Sequence, residues 1–351
     1  MQVLPHPGTD AEHHHLGPAK ENGQHRNLWL DMAYNIIDDD ATDPRAYLPY
    51  VEFYVTNVCN LACDDCNRFN NHDFRGHYLW QDYEHVYRAW SQHIRFQKVA
   101  IMGGEPLLNP TVCDYVDGIN ELWNQRVQIM TNGTRLNQVP GLYERMVRYR
   151  QDGDFHHANW IGVSIHNEND TERYFDEIHQ FLQGPVTYYH RDDPANVDNC
   201  HTWGATHAFS DSNGMHVHVW DYTSFYPAAV VRNSAGRFGL YDSDPELAHE
   251  QCGFRMFKCH HFMAGKIYKC PPVALFPEFY RQHEFDISPQ DREILHGYAA
   301  LTLERASEAR DFFANIDQVI PQCKFCPVHG HTGVNKILFS RAKNRQQGVF
   351  K

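Results

Sequence analysis

Apolar residues in the first half of the chain switch repeatedly between two periods. Val51-Glu52-Phe53-Tyr54-Val55 is β-branched and aromatic and predicts a buried strand. Tyr83, Val86, Tyr87, Trp90 and Ile94 then recur at helical spacing. Val99-Ala100-Ile101-Met102 predicts a second strand ending at Gly103-Gly104, and Val112, Tyr115, Val116, Ile119 and Trp123 the next helix. Val127-Gln128-Ile129-Met130 predicts a third strand, followed by Leu142, Met146 and Tyr149 at helical spacing. Ile161-Gly162-Val163-Ser164-Ile165 gives a fourth strand, and Tyr174, Ile178 and Phe181 a fourth helix. Such alternation implies βαβ units and a parallel sheet with right-handed crossovers. The polar motifs all follow strands, so they should gather at the carboxyl edge of the sheet, where barrel-type α/β folds place their sites.

Past about residue 190 the pattern weakens. Met215 to Trp220 alternates as a strand, whereas residues 192–213 and 232–250 read as loops. Ser288-Pro289 opens a long helix, with Ser288 as cap, proline first and Asp291 three residues after the cap. Ile294, Leu295, Tyr298, Leu301 and Leu303 supply its apolar surface. Residues 1–45 are polar and rich in His, Asp and Gly, and predict an extension; His13, His14 and His15 read as solvated tail. The chain divides into that extension, an α/β unit over residues 46–235 and a smaller unit over 236–351.

Composition narrows the function. With 351 residues, 42% of them hydrophobic, the chain can build one large domain and a small one. A formal net charge of −13 argues against a broad phosphate-binding surface, so no nucleic-acid partner is expected. Apolar runs are too short to span a bilayer, and Met1 to Pro7 lacks the basic and apolar regions of a signal peptide. The expected location is cytoplasmic, where thiols stay reduced. There, clustered cysteines read as metal ligands or catalytic thiols. Seven of the ten cysteines fall into two ligand groups once one spare in the second is set aside; Cys113 sits in a helical pattern and reads as a small hydrophobe.

The first group is Cys59-x3-Cys63-x2-Cys66, directly after a strand. Three close thiolates hold three irons of a cubane cluster and leave the fourth iron open, whereas four would close it. A zinc knot is the competing reading, but zinc sites use four ligands, and no fourth Cys or His lies at knuckle spacing. This spacing resembles the signature of the radical S-adenosylmethionine (radical SAM) superfamily, over approximately residues 48–225. Gly103-Gly104-Glu105-Pro106, one βα unit later, strengthens the resemblance. It implies a turn along the methionine end of SAM, with glycines allowing close approach and Glu105 pairing with the ammonium. Asn132, in Thr131-Asn132-Gly133, and Ser164 at the end of the fourth strand are carried over as further SAM contacts. Asp65 stands where the family commonly has an aromatic residue touching adenine; Phe69 or another ring is the candidate substitute.

The second group is Cys252, Cys259, Cys270, Cys323 and Cys326. Gly265, four residues before Cys270, predicts a tight hairpin whose strand delivers that cysteine. Cys252-x12-Gly265-x4-Cys270, a helix and then Cys323-x2-Cys326 resemble the shortened SPASM module called a twitch domain. The resemblance implies an auxiliary [4Fe–4S] cluster on Cys252, Cys270, Cys323 and Cys326. Cys259 can replace Cys252 in that set, and structural zinc suits four thiolates equally well. No cysteine follows Cys326, which excludes a third cluster.

The resemblance therefore implies a partial (β/α)6 TIM-like barrel of the radical SAM type with a small C-terminal twitch-like unit of hairpin plus helix. It implies an enzyme that cleaves SAM to a 5′-deoxyadenosyl radical and takes a hydrogen atom from a small polar metabolite. Expected partners are that substrate and an external electron donor such as flavodoxin or ferredoxin. A peptide substrate and a non-catalytic iron–sulfur or zinc protein remain the alternatives. Tyr188, Tyr189, His190, Arg191, His216, His218 and Tyr222 are candidates to line a substrate site.

Overall fold

The computed structural model describes residues 42–63, 66–149, 158–166, 170–190, 205–221, 230–232, 236–256, 258–328 and 343–344. The N-terminal histidines, Asp65, Arg191 and Tyr222 lie outside the described residues. One nine-stranded sheet dominates, in the order β12-β11-β1-β3-β4-β5-β8-β7-β6. Its strands are β1 (Ala46–Tyr54), β3 (Ile94–Met102), β4 (Val127–Thr131), β5 (Trp160–Ile165), β6 (Val186–His190), β7 (His207–Asp211), β8 (His216–Asp221), β11 (His261–Met263) and β12 (Lys266–Tyr268). A short strand β2 (Leu61–Ala62), inside the first cysteine loop, pairs antiparallel with β13 (Lys343–Asn344), and β9 (Val230–Arg232) with β10 (Phe238–Leu240).

Six consecutive members of the large sheet, from β11 to β8, pair in parallel. The alternating pattern predicted this parallel α/β sheet, and it is consistent with the partial barrel that the resemblance implied. The sixth parallel strand, however, comes from the C-terminal hairpin and docks beside β1. Ala264 and Gly265 both take positive φ (50° and 73°) at the hairpin tip, the backbone twist that a two-residue turn between β11 and β12 needs.

Strand alternation gives the sheet two unlike faces. Val51, Phe53, Val99, Ile101, Ile129, Ile161, Val163, Val217 and Val219 are buried under the helices. These helices include α1 (Trp80–Trp90), α2 (Val112–Trp123), α3 (Leu142–Arg148) and α4 (Thr171–Phe181). Phe53 meets Tyr87, Trp123 and Phe262 edge-on or tilted at 4.8–5.7 Å, so one aromatic cluster welds β1, β11 and two helices. The opposite, inner face carries Tyr50, Glu52, Gln128, Ser164 and His218 instead.

Several expectations change. Ile94 opens β3 rather than continuing a helix, because the turn after Trp90 ends α1. Residues 192–213 contain β7, and 232–250 contain β10 and the helix α5 (Pro245–Glu250). The helix capped by Ser288 is α8 (Pro289–His296); it stops at Gly297, and Leu301 instead bridges to Ile267 of β12. It follows α6 (Gly253–Met256) and α7 (Pro271–Gln282) and precedes α9 (Ala309–Asn315). Among the described residues no helix is long and apolar enough to cross a membrane.

Gly118 on α2 faces Trp80 so closely that a Cβ there would overlap the indole. Gly118→Ala gains about 1 kcal/mol of helix propensity, but forcing atoms into a packed core costs about 1–3 kcal/mol. The variant should therefore unfold at lower urea than wild type; a higher midpoint would show that Trp80 yields freely.

Candidate functional site

β1 runs into Thr56-Asn57-Val58 and then the first cysteine loop. The Gly103-Gly104-Glu105 turn is laced to this lead-in: Gly104 N donates to Thr56 O and Glu105 N to Val58 O, each at 2.8 Å. A Cβ on Gly103 would strike Thr56, and one on Gly104 would strike the Val58 carbonyl. The glycines thus let the turn lie against the segment that aims Cys59.

Glu105 is fully buried. Its Oε1 accepts from Thr131 Oγ1 (2.6 Å) and Leu107 N (3.0 Å), and its Oε2 from Asn132 N (2.7 Å). Asn132 Nδ2 in turn donates to Asn60 Oδ1 at 2.8 Å and lies 3.8 Å from Cys59 Sγ, while Asn60 Nδ2 donates to Thr134 Oγ1 at 2.7 Å. The two strand-end turns therefore grip the cysteine loop together. Asn60, Thr131 and Thr134 escaped sequence reasoning. An Asn inside the cysteine loop and threonines flanking Asn132 were the signals available.

The three thiols of the loop are electrostatic neighbours. Burial pushes the Cys59 thiol well up, and Glu105, Cys66 and Cys63 push it further. Cys66 N donates to Cys63 O at 3.2 Å, and Cys66 Sγ lies 3.6 Å from Asn70 Oδ1. Ser164 is on the inner face, in register with Trp220 of β8. Among the described residues no hydrogen bond joins it to the cysteine loop.

The second group converges as well. Cys252, Cys270, Cys323 and Cys326 line one cavity with His249, Lys269, Arg255 and Asp317. Burial pushes Cys270 up to about 12, helped by Cys252 and Cys323. Burial also pushes Cys326 well up, with Cys270, Cys252 and Cys323 behind it. The Cys323–Cys326 turn is held by Ser243, whose Oγ donates to Cys326 O (2.7 Å), and by Lys324 pairing with Asp291 (2.8 Å). Cys259 points elsewhere, toward Glu52 on the inner face of β1. Among the described residues, no three His, Cys, Asp or Glu close around a single ion.

A profile of the radical SAM superfamily matches residues 53–189. The chain carries a radical SAM domain. Its cysteine loop and glycine turn lie inside that match. A probable GTP 3′,8-cyclase of Methanocaldococcus jannaschii is 29% identical over 85 residues, 24% of this chain and 28% of that protein. The chain thus matches under a third of the length of that curated relative. Two solved structures share lower similarity. SuiB of Streptococcus suis bound to S-adenosylmethionine is 18% identical with a TM-score of 0.29, over 37% of this chain and 28% of that one. BtrN in complex with AdoMet and 2-DOIA is 15% identical with a TM-score of 0.36, over 80% and 92%.

Within this radical SAM domain Glu105 is held inside the fold, where it accepts from Thr131, Leu107 and Asn132. Phe69, the candidate for adenine, is instead fully buried, stacked on Phe276 (5.5 Å) and tilted against Phe279 (5.0 Å). Of the substrate-site candidates, His218 is buried on the inner face, whereas Tyr188 is 45% exposed on the edge strand β6.

Burial pushes the Glu105 carboxyl up to about 7 from an ordinary 4.5, although three donors favour its anion. Between those values the folded chain keeps a proton that the unfolded chain has lost. This group therefore takes stability away as pH rises from about 4.5 to about 7. Glu105→Gln should flatten that part of the stability–pH curve in urea unfolding; an unchanged slope would mean that the carboxyl ionises normally.

Proposed function

We propose that the chain is a radical SAM enzyme that reductively cleaves S-adenosylmethionine and takes a hydrogen atom from a small polar metabolite, oxidising or rearranging it. The observation that carries this reading is the three-thiol loop held at the carboxyl end of β1 by two strand-end turns. Cys59, Cys63 and Cys66 would hold a [4Fe–4S] cluster with one open iron, which supplies the electron and the docking point for SAM cleavage.

The chain's own residues have definite tasks in that reaction. Gly103 and Gly104 fix the loop's approach by packing against Thr56 and Val58. Asn132 and Asn60 brace the loop beside Cys59. Tyr50, Glu52, Gln128 and His218 make the inner face polar yet buried, which suits a small polar substrate and excludes water from a reactive radical.

Cys252, Cys270, Cys323 and Cys326 would hold an auxiliary [4Fe–4S] cluster, able to accept an electron from substrate. Shared lining of one cavity supports this set and leaves out Cys259. An external donor such as flavodoxin or ferredoxin, and a cytoplasmic location where thiols stay reduced, belong to the same reading.

Anaerobically reconstituted protein, reduced and mixed with SAM, should release 5′-deoxyadenosine and methionine, and Cys63→Ala should abolish release. No product from fully loaded protein would sink the proposal; full activity in Cys63→Ala would overturn the ligand assignment. A Cys59/Cys63/Cys66 triple-alanine variant should still bind about four irons, whereas zinc alone in it would refute the auxiliary cluster.

A further inference from the structure

Lys269 immediately precedes a cysteine and lines the cavity shared by Cys252, Cys270, Cys323 and Cys326. The residue is only 7% exposed. Its Nζ donates to Ile316 O and Gln318 O, each at 2.7 Å, and lies 3.4 Å from His249 Nε2. An ammonium has three donors and no lone pair, and three acceptors surround it, so His249 Nε2 is the third acceptor. The other His249 nitrogen then carries the ring proton and faces the Asp317 backbone. A neutral amine, with two N–H groups for the two carbonyls, would turn its lone pair against that of His249 Nε2.

All three partners are uncharged. Asp317, which lines the same cavity, is shared with Lys258. A buried cation without a counter-charge is costly and seldom kept. The four thiols of the cavity that Lys269 lines are the other groups able to supply that charge, once they ionise on a metal.

We propose that Lys269 is the fixed counter-charge of the metal centre held by Cys252, Cys270, Cys323 and Cys326, and that it raises the reduction potential of that centre. This rests on the auxiliary-cluster reading above. Four thiolates around an iron–sulfur core make a net negative assembly, and reduction adds one more negative charge. A cation fixed in a low-dielectric wall favours the reduced state over the oxidised one. Lys269 acts through the cluster rather than on substrate, and is a positioning residue. His249 and the Ile316 and Gln318 carbonyls orient it.

The test uses the full chain with Cys59, Cys63 and Cys66 changed to alanine, reconstituted with iron and sulfide, so that the auxiliary centre is seen alone. Its midpoint potential is read by EPR-monitored redox titration. Lys269→Met should lower the potential, and Lys269→Arg should restore it toward the parent value. Lys269→Gln, neutral but still able to donate to a carbonyl, gives the same comparison where Lys269→Met does not assemble. Equal potentials in the parent and the neutral variants would overturn the role of Lys269 while leaving the cluster in place. A parent that takes up zinc but no iron and sulfide would instead overturn the auxiliary-cluster reading, and the inference with it.

Discussion

Glu52, on the inner face of β1 and almost wholly buried, holds together three parts of the chain that are far apart in sequence. Its Oε2 accepts from Arg68 Nη2 at 3.0 Å and lies 3.0 Å from His261 Nδ1, while Tyr50 OH donates to Oε1 at 3.3 Å. Burial opposes ionisation, but Arg68 and His261 outweigh it and hold the carboxyl down at about 2. Burial pushes His261 the other way, to about 4, so the imidazole is neutral beside a charged Glu52–Arg68 pair. Breaking such a pair leaves an uncompensated charge and costs about 3–5 kcal/mol. The constraint is therefore strong. Arg68 follows Cys66 by two residues, so β1 fixes where the cysteine loop turns back, and His261 brings the C-terminal hairpin to the same point.

Apolar packing reinforces the polar knot. Phe69, next to Arg68, stacks on Phe276 and packs tilted against Phe279 of α7, and Phe276 meets Phe325 between the last two cysteines at 6.2 Å. Arg68 itself lies over Phe254, whose ring lines the second cysteine cavity. The two cysteine groups are consequently joined by one continuous core. Sheet register and packed rings thus set the separation of the two groups.

The first half of this architecture was legible in the sequence because its strands and helices each carry a clean period. Val51, Phe53, Ile101, Ile129, Val163 and Ile178 are buried where alternation and helical spacing put them. The second half was less legible because its elements are short and owe their form to distant partners. β11 has three residues and becomes a strand by docking on β1. The helix opened by Ser288 ends early because Leu301 is drawn off to pair with Ile267. Cys252 and Cys259 looked interchangeable by spacing; what separates them is Glu52, some two hundred residues away, which takes Cys259. The motif around Glu105 likewise does not show that Thr131, Leu107 and Asn132 aim three donors at its carboxyl.

The charges around the two cysteine groups differ in a way that has a direction. Near the first, the buried cation is Arg68, and Glu52 already neutralises it; Glu105 adds a further acidic neighbour to Cys59. Near the second, the buried cation is Lys269, and its hydrogen-bond partners are neutral carbonyls and an imidazole. Iron–sulfur potentials rise with local positive charge and fall with negative charge. If both groups hold clusters, Lys269 would make the auxiliary centre easier to reduce than its four thiolates alone would, whereas at the first centre Glu52 already offsets Arg68. An electron leaving a substrate radical on the inner face would then find an acceptor eased by Lys269.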